Sequence, residues 1–140
     1  MGLLSLRKPA PEHLRQLLAE QSAHDVKYPG VGGTASTPPA GFVQDRTRIE
    51  LGSGEEVFDS ARAALERWQQ FQLGWVDAWS PETPIETGQV VAILGWAMGF
   101  WWLNFCRIVY TVDEHGPLVR FGFAYGTLPG HVAMGEERFL

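Results

Sequence analysis

The last third of the chain, residues 106–139, constrains the fold more than any other part of the sequence. Runs rich in β-branched and aromatic residues occupy 100–112 and 118–125, and they flank the turn sequence Asp-Glu-His-Gly-Pro. Two such runs joined by a short turn that contains glycine are typical of antiparallel strands. A further strand is expected to begin near Glu137. We therefore predict an antiparallel sheet for this part of the protein.

Two segments upstream show the features of amphipathic helices. Residues 10–22 carry Pro11 in a first-turn position and a narrow stripe of leucines. Residues 53–70 begin with Ser53, whose side chain can cap the first turn, and continue with a broad apolar face. That face consists of Val57, Phe58, Ala61, Leu65 and Trp68.

Three more segments are predicted to be strands. Apolar and polar residues alternate in 42–51 and in 73–79, whereas 89–94 is a compact apolar run. The Gly- and Pro-rich residues 28–41 are predicted to form a long loop. The chain thus passes from strand to helix and then through a series of strands with short turns. This order indicates an α+β fold.

The length of 140 residues predicts a single domain, 1–140. Residues 1–41 supply the N-terminal helix and the Gly/Pro-rich loop, and residues 42–140 supply the strand, the second helix and the antiparallel sheet. Six Trp and eight Phe are unusual for a chain of this size. Large rings fill a core, or line a cavity, with few residues.

The composition disfavours several kinds of partner. A net charge of −5 argues against nucleic acid, since phosphate binding needs clustered Lys and Arg. The sole cysteine, Cys106, is expected to be a small buried hydrophobe. The four histidines lack the spacing of a metal site, and Gly52-Ser53-Gly54 lacks the remaining glycine of a dinucleotide fingerprint. We therefore expect neither a metal nor a cofactor.

No charged side chain occurs from Thr87 to Cys106, about the length of a membrane span. Glycines interrupt this segment, and its apolar runs are short, so we predict two buried strands and no stable membrane span. The apolar run at the N-terminus is too short for a signal peptide, which makes a cytoplasmic location the expectation.

Six motifs in the chain resemble those of one protein family. They are Tyr28-Pro-Gly-Val-Gly-Gly-Thr34, Asp45-Arg46, Leu51-Gly-Ser-Gly54, Cys106-Arg-Ile-Val-Tyr110, Gly122-Phe-Ala-Tyr-Gly-Thr-Leu-Pro-Gly-His131 and Gly135-Glu-Glu-Arg-Phe139. Over nearly the whole chain they resemble signatures of the domain-of-unknown-function 1990 family, also called uncharacterised protein family 0548. The family name carries no assigned chemistry.

The family's order of elements is similar to that of the START-like, or helix-grip, superfamily of lipid and small-molecule binders. This resemblance implies a curved antiparallel sheet that grips a helix. Helix-grip proteins add a further strand and a long C-terminal helix, whereas this chain ends at Leu140, inside a predicted strand. We therefore expect the last strand and helix to be absent or supplied by another chain. An unpaired sheet edge would favour association of copies.

The aromatic content and the order of elements predict a non-enzymatic binder of a small hydrophobic or amphipathic ligand, held between sheet and helix. An arginine that faces inward would be an anion anchor, and Arg107 either marks the water-facing end of its apolar face or is paired when buried. His131 would be a polar group at the mouth of the pocket. The hydroxyls of Tyr28 and Tyr125 need partners and would tie the Gly-rich loop to the sheet. The full expected lining is Arg107, Tyr125, His131, Tyr28, Trp75, Trp102 and Phe123.

Two alternatives stay open at this stage. The first is an enzyme, hydrolase or cyclase-like, that uses His131, Glu136 and Arg107 in one pocket. No catalytic residue is assigned, because alternation places Glu136 and Arg138 on one strand face and Glu137 on the other, the pattern of a solvated edge. The second is an interaction protein whose open C-terminal sheet edge recruits a second copy of the chain, as a homo-oligomer, or another partner.

Overall fold

The computed structural model of the chain describes residues 3–129, 131 and 133–140. Six strands and two α-helices form the described fold. In chain order these are β1 (Leu3–Ser5), α1 (Pro11–Ser22), α2 (Glu55–Glu66), β2 (Val76–Trp79), β3 (Val90–Ala97), β4 (Phe100–Glu114), β5 (Arg120–Thr127) and β6 (Glu136–Phe139). Short 3₁₀ turns occupy Gly33–Ala35 and Gln69–Phe71.

The strands form one curved, unclosed antiparallel sheet in the order β2-β3-β4-β5-β6. The β1 strand pairs with the first part of β4, opposite Trp101 to Leu103, whereas β5 pairs with the rest of that long strand. The register between β4 and β5 shifts between Ile108 and Tyr110, which marks a β-bulge. The predicted α+β class is thereby confirmed.

Both faces of the sheet carry a hydrophobic core because a different element covers each face. On one face, Leu14 of α1 packs with Leu103 and Phe105 of β4. On the other face, Trp68 lies beyond the end of α2 and packs with Ile108 and Phe123. The indole of Trp68 donates a hydrogen bond to the Thr83 carbonyl oxygen at 2.9 Å, so its one polar atom is satisfied.

The largest difference from the sequence prediction lies in residues 42–51. This segment was expected to be a half-buried strand, but it pairs with no described strand, and its apolar side chains after Phe42 are exposed. Val43 is 94% exposed and Ile49 is 73% exposed. Alternation alone was misleading here, because a strand also needs a neighbouring backbone with which to pair.

The boundaries of α2 also differ from the prediction. Its N-cap is Gly54, not Ser53, and no side chain caps its first turn. The helix ends at Glu66, because Trp68 adopts a positive φ of 59° that takes the chain out of helical geometry. None of the helix residues is fully buried, so its broad apolar face remains partly open.

Residues 87–106, the segment without charged side chains, belong mainly to β3 and β4. Among the described residues, no helix has the length and apolar character needed to cross a membrane. The predicted last strand is present as β6, whereas β1 was missed because three residues carry too little periodicity to detect.

Candidate functional site

The side chain of Glu136 connects the Gly-rich loop, residues 28–41, to β6, the last strand of the sheet. It lies at the start of β6, opposite Gly126 of β5. Its Oε1 atom accepts a hydrogen bond from the Tyr28 hydroxyl at 2.8 Å and another from the Gly32 backbone N–H at 2.7 Å. Gly32 has a φ of 87°, a left-handed conformation in which glycine is the least strained residue.

Thr34 donates hydrogen bonds to the second oxygen of the same carboxylate. Its backbone N–H donates to Glu136 Oε2 at 3.0 Å, and its hydroxyl donates to the same atom. The Thr34 hydroxyl also lies 2.6 Å from the Tyr110 hydroxyl. Because the single hydroxyl proton of Thr34 goes to the carboxylate, Tyr110 is the donor in that contact. We call Tyr28, Gly32, Thr34, Tyr110 and Glu136 the Glu136 cluster.

Gly126 makes room for the cluster. A Cβ atom at this position would lie 2.2 Å from the Tyr28 hydroxyl oxygen and 2.5 Å from a carbon of its ring. The Tyr28 ring therefore rests directly on the backbone of β5, one strand away from the carboxylate that it binds. Only glycine permits this close approach.

The charge state of the cluster follows from its hydrogen bonds. Partial burial acts to raise the pKa of Glu136, but the donors from Thr34, Gly32 and Tyr28 outweigh it and hold the pKa below its ordinary value. Burial, and then the carboxylate, raise the pKa of Tyr28. At neutral pH the cluster thus consists of an ionised carboxylate surrounded by neutral donors. Such an arrangement holds a loop in place. A carboxylate whose oxygens already accept several hydrogen bonds, and whose pKa is lowered, is however a weak general base.

A small cavity of about 100 Å³ lies next to the cluster. Tyr28, Thr34 and Glu136 contribute to its wall, and Pro39 and Phe42 from the end of the loop complete the apolar part. This volume can hold a few water molecules or a very small molecule.

A much larger groove, of about 980 Å³, lies on the α2 side of the sheet. We call it the α2 groove. Its walls are the apolar face of α2, residues 47–54, which belong to no helix or strand, and the β5–β6 edge. The apolar lining consists of Ile49, Leu51, Val57, Phe58, Ala61, Ala64, Leu65, Phe121, Phe139 and Leu140. Residues of the mispredicted strand thus form one wall of this groove.

Three arginines line the α2 groove, and they differ in their partners. Arg62 is bound to Glu66 and Asp113 and lies over the Phe121 ring at 4.4 Å. Arg138 is half-buried, and Arg48 is exposed. Neither Arg48 nor Arg138 forms an ion pair with any residue in the described part of the chain. Two cations are thus available at the rim of an apolar groove.

The structure does not gather the predicted lining residues in one place. Arg107 lies on the α1 face, where its guanidinium donates to the Ser22 carbonyl oxygen at 2.6 Å and contacts Asp25 at 3.3 Å. Phe123 and Tyr125 lie on the opposite face, in the core, and the Tyr125 hydroxyl donates to Glu137 at 2.9 Å. Arg107 is therefore bound to groups at and just beyond the end of α1, and it lines neither cavity.

The remaining predicted residues lie elsewhere. Trp75 is exposed, and the indole of Trp102 donates to the Ala97 carbonyl oxygen at 3.1 Å. His131 is partly buried, and its Nδ1 atom accepts a hydrogen bond from the Ala133 N–H at 3.0 Å. Burial lowers the pKa of His131, so this side chain is neutral at pH 7. Of the seven residues expected to bind a ligand, Tyr28 alone lines either cavity described above.

Sequence reasoning missed the partners of Glu136. This residue was assigned to a solvated edge, but it is half-buried and bound by four donors. Thr34 and Tyr110 were not singled out as site residues, although both end motifs used for the family resemblance. Of the two tyrosines expected to tie the Gly-rich loop to the sheet, Tyr28 does so, whereas the Tyr125 hydroxyl binds a residue of β6 within the sheet. No group of three or more His, Cys, Asp or Glu among the described residues is arranged to hold a metal ion.

Comparisons with known proteins agree with the motifs. Residues 27–140 match the family model named Domain of unknown function, DUF1990. A UPF0548 protein of Dictyostelium discoideum is 36% identical over 99% of this chain and 69% of its own length. A UPF0548 protein of Arabidopsis thaliana is 32% identical over 99% of this chain and 74% of its own length.

A third relative, a UPF0548 protein of Deinococcus radiodurans, is 35% identical over 96% of this chain and 72% of its own length. No solved structure matches the chain significantly. The family match covers most of the chain and includes the Gly-rich loop, all three walls of the α2 groove and the strand that carries Glu136. The chain therefore belongs to the DUF1990 family.

Proposed function

We propose that this protein binds a small amphipathic molecule, with an apolar body and an anionic end, in the α2 groove. The observation that carries the proposal is Arg138, a half-buried cation without an ion-pair partner among the described residues, at the edge of an apolar groove. A partly desolvated guanidinium gains strongly from a carboxylate or phosphate ligand. The helix–sheet location is the one expected from the sequence, although the residues that line it differ.

The apolar walls support the same ligand class. Val57, Phe58 and Leu65 project from α2 without being fully buried, and Phe139 faces them from β6. Binding of an alkyl or aromatic body there would remove apolar surface from water, which contributes roughly 25 cal/mol per Å². An anionic end near Arg138 and Arg48 would fix the orientation of the ligand. The proposed function is binding without a chemical reaction, so it needs no catalytic group.

Titration of laurate and dodecanol against the protein tests the proposal, with native mass spectrometry to count bound molecules. These two probes share an alkyl chain and differ in charge. We expect the wild type to bind laurate more tightly, and Arg138→Gln to reduce laurate affinity by roughly tenfold while leaving dodecanol affinity unchanged.

Arg46→Gln is the matched control, because Arg46 is an exposed arginine that does not line the groove. Phe58→Ala should reduce the affinity for both probes. Leu118→Ala, at an exposed leucine outside the groove, should change the affinity for neither. The proposal is wrong if the wild type binds neither probe, or if Arg138→Gln and Arg46→Gln have equal effects.

A further inference from the structure

We propose that the end of the sheet opposite the Glu136 cluster is a docking surface for an anionic lipid interface. The surface consists of exposed apolar residues at the β3–β4 turn and on the strands beside it: Leu4, Leu6, Trp75, Trp96, Met98 and Phe100. We call it the apolar tip. It is separate from the α2 groove and shares no lining residue with it.

Strand pairing brings these residues together. The Trp96 backbone N–H donates to the Trp75 carbonyl oxygen at 2.7 Å, and Trp96 pairs with Trp101 across the hairpin. On the other side of β4, Leu4 pairs with Trp102. Four strands therefore end side by side, and the β3–β4 turn projects beyond them.

The apolar residues lie on both faces of this projecting end. Trp96 and Trp101 are directly paired and share the α1 face, whereas Leu4 and Trp102 are paired on the opposite face. A folded protein partner would cover one face of such an edge. A lipid interface surrounds a projecting end from all sides, and Trp is a residue that favours the boundary between water and acyl chains.

The residue at the summit of the turn is a second, independent observation. Ala97 pairs with Phe100, so Met98 and Gly99 form a two-residue turn, with φ values of 52° and 80°. Turns of this geometry favour Asn or Asp before the glycine, because a bulky residue is strained at positive φ. Here the position holds Met, and its side chain is 83% exposed. The sequence thus places an apolar residue, Met98, at a turn position that favours Asn or Asp. A residue that breaks a local rule in this way often has a functional role.

Charges at the base of the tip suit an anionic surface. Arg7 and Lys8 follow β1, and Lys8 lies 5.3 Å from the Trp101 ring while it contacts Asp77 at 3.3 Å. Arg7 forms no ion pair within the described part of the chain. Each basic residue near a negatively charged leaflet favours binding. The proposal concerns shallow insertion of the tip, because the strands that carry it belong to the folded sheet.

Vesicle co-sedimentation of the full chain tests the proposal. One set of vesicles contains phosphatidylcholine alone, and the other also contains phosphatidylglycerol. We expect binding to the mixed vesicles and roughly tenfold weaker partition for Met98→Asn. Asn suits positive φ, so this variant should melt no lower than the wild type, and lost binding cannot be due to unfolding. Arg7→Gln should weaken binding to the mixed vesicles by roughly fivefold.

Val43→Asn is the matched control, since Val43 is even more exposed than Met98 but lies outside the tip. It should bind like the wild type. Three results would overturn the proposal: no binding of the wild type to either vesicle, equal binding of the wild type and Met98→Asn, or a dimer in light scattering that Met98→Asn abolishes without any vesicle binding. The last result would identify the tip as a contact between protein copies.

Discussion

The Tyr28 hydroxyl donates a hydrogen bond to the Glu136 carboxylate at 2.8 Å, although 108 positions separate the two residues in the chain. This contact joins the loop after α1 to the final strand. Gly32 and Thr34 add donors to the same carboxylate, so one side chain organises a loop that has little regular structure of its own. The cluster is therefore an anchor on which the stability of the loop depends.

Glu136→Gln should destabilise the protein by about 1–3 kcal/mol, because an amide has one acceptor oxygen where the cluster needs two and its NH₂ group faces other donors. Urea unfolding followed by circular dichroism measures this change. Glu50→Gln is the control, since Glu50 is exposed and should change stability by less than about 0.5 kcal/mol. Equal stabilities of the two variants would contradict the anchor role.

Gly126→Ala should be more damaging than an ordinary glycine substitution in a strand. The new methyl group would overlap the Tyr28 ring, with an overpacking cost of about 1–3 kcal/mol. Gly95→Ala in β3 is the matched control, because no heavy atom lies within 4 Å of its Cβ position. Adding Tyr28→Ala should remove part of the cost of Gly126→Ala, and a double-mutant cycle measures that coupling. Additive effects would show that the two residues do not touch.

The stability of the protein should depend on pH through Glu136. Its folded-state pKa is lowered, so the ionised form contributes stability that is present above the unfolded value and lost as pH falls through the folded value. The stability difference between the wild type and Glu136→Gln should therefore be constant above about pH 5 and shrink below about pH 4. Urea unfolding at several pH values measures this difference, and a difference that is independent of pH down to acid unfolding would contradict the assignment.

Cys106 should resist alkylation in the folded protein. Its side chain is fully buried, and burial raises the pKa of the thiol, so little thiolate forms and reagents cannot reach it. Iodoacetamide followed by mass spectrometry should label it in denaturant and leave it unlabelled in buffer. Rapid labelling in buffer would mean that β4 opens readily.

The sequence was most informative where the structural signal is local. The compact run at 89–94 predicted a strand that the structure extends to Val90–Ala97, and the leucine stripe of 10–22 predicted α1 almost to the residue. The apolar face of residues 53–70 correctly indicated a helix. The same kind of signal failed for 42–51, where alternation occurs without a partner strand.

For the candidate site, the sequence identified single residues but not the contacts between them. Tyr28 was identified because a tyrosine hydroxyl in a loop needs a partner, but nothing in the residues near Glu136 pointed to Tyr28 or Thr34. Arg107, Tyr125 and Phe123 were grouped as one lining because each lies in an apolar strand. The sheet separates them, since residues on neighbouring strands share a face only when the register aligns them.

By itself, the sequence determined both helices, the strands β2 to β6, the family and the glycine-rich loop, because these depend on periodicity, turn residues and motif identity along the chain. The tertiary structure decided which residues meet: the donors around Glu136, the cations of the α2 groove and the apolar tip. Those contacts are set by strand register and by the path of loops between distant segments, and neither quantity is encoded in any short window of the sequence.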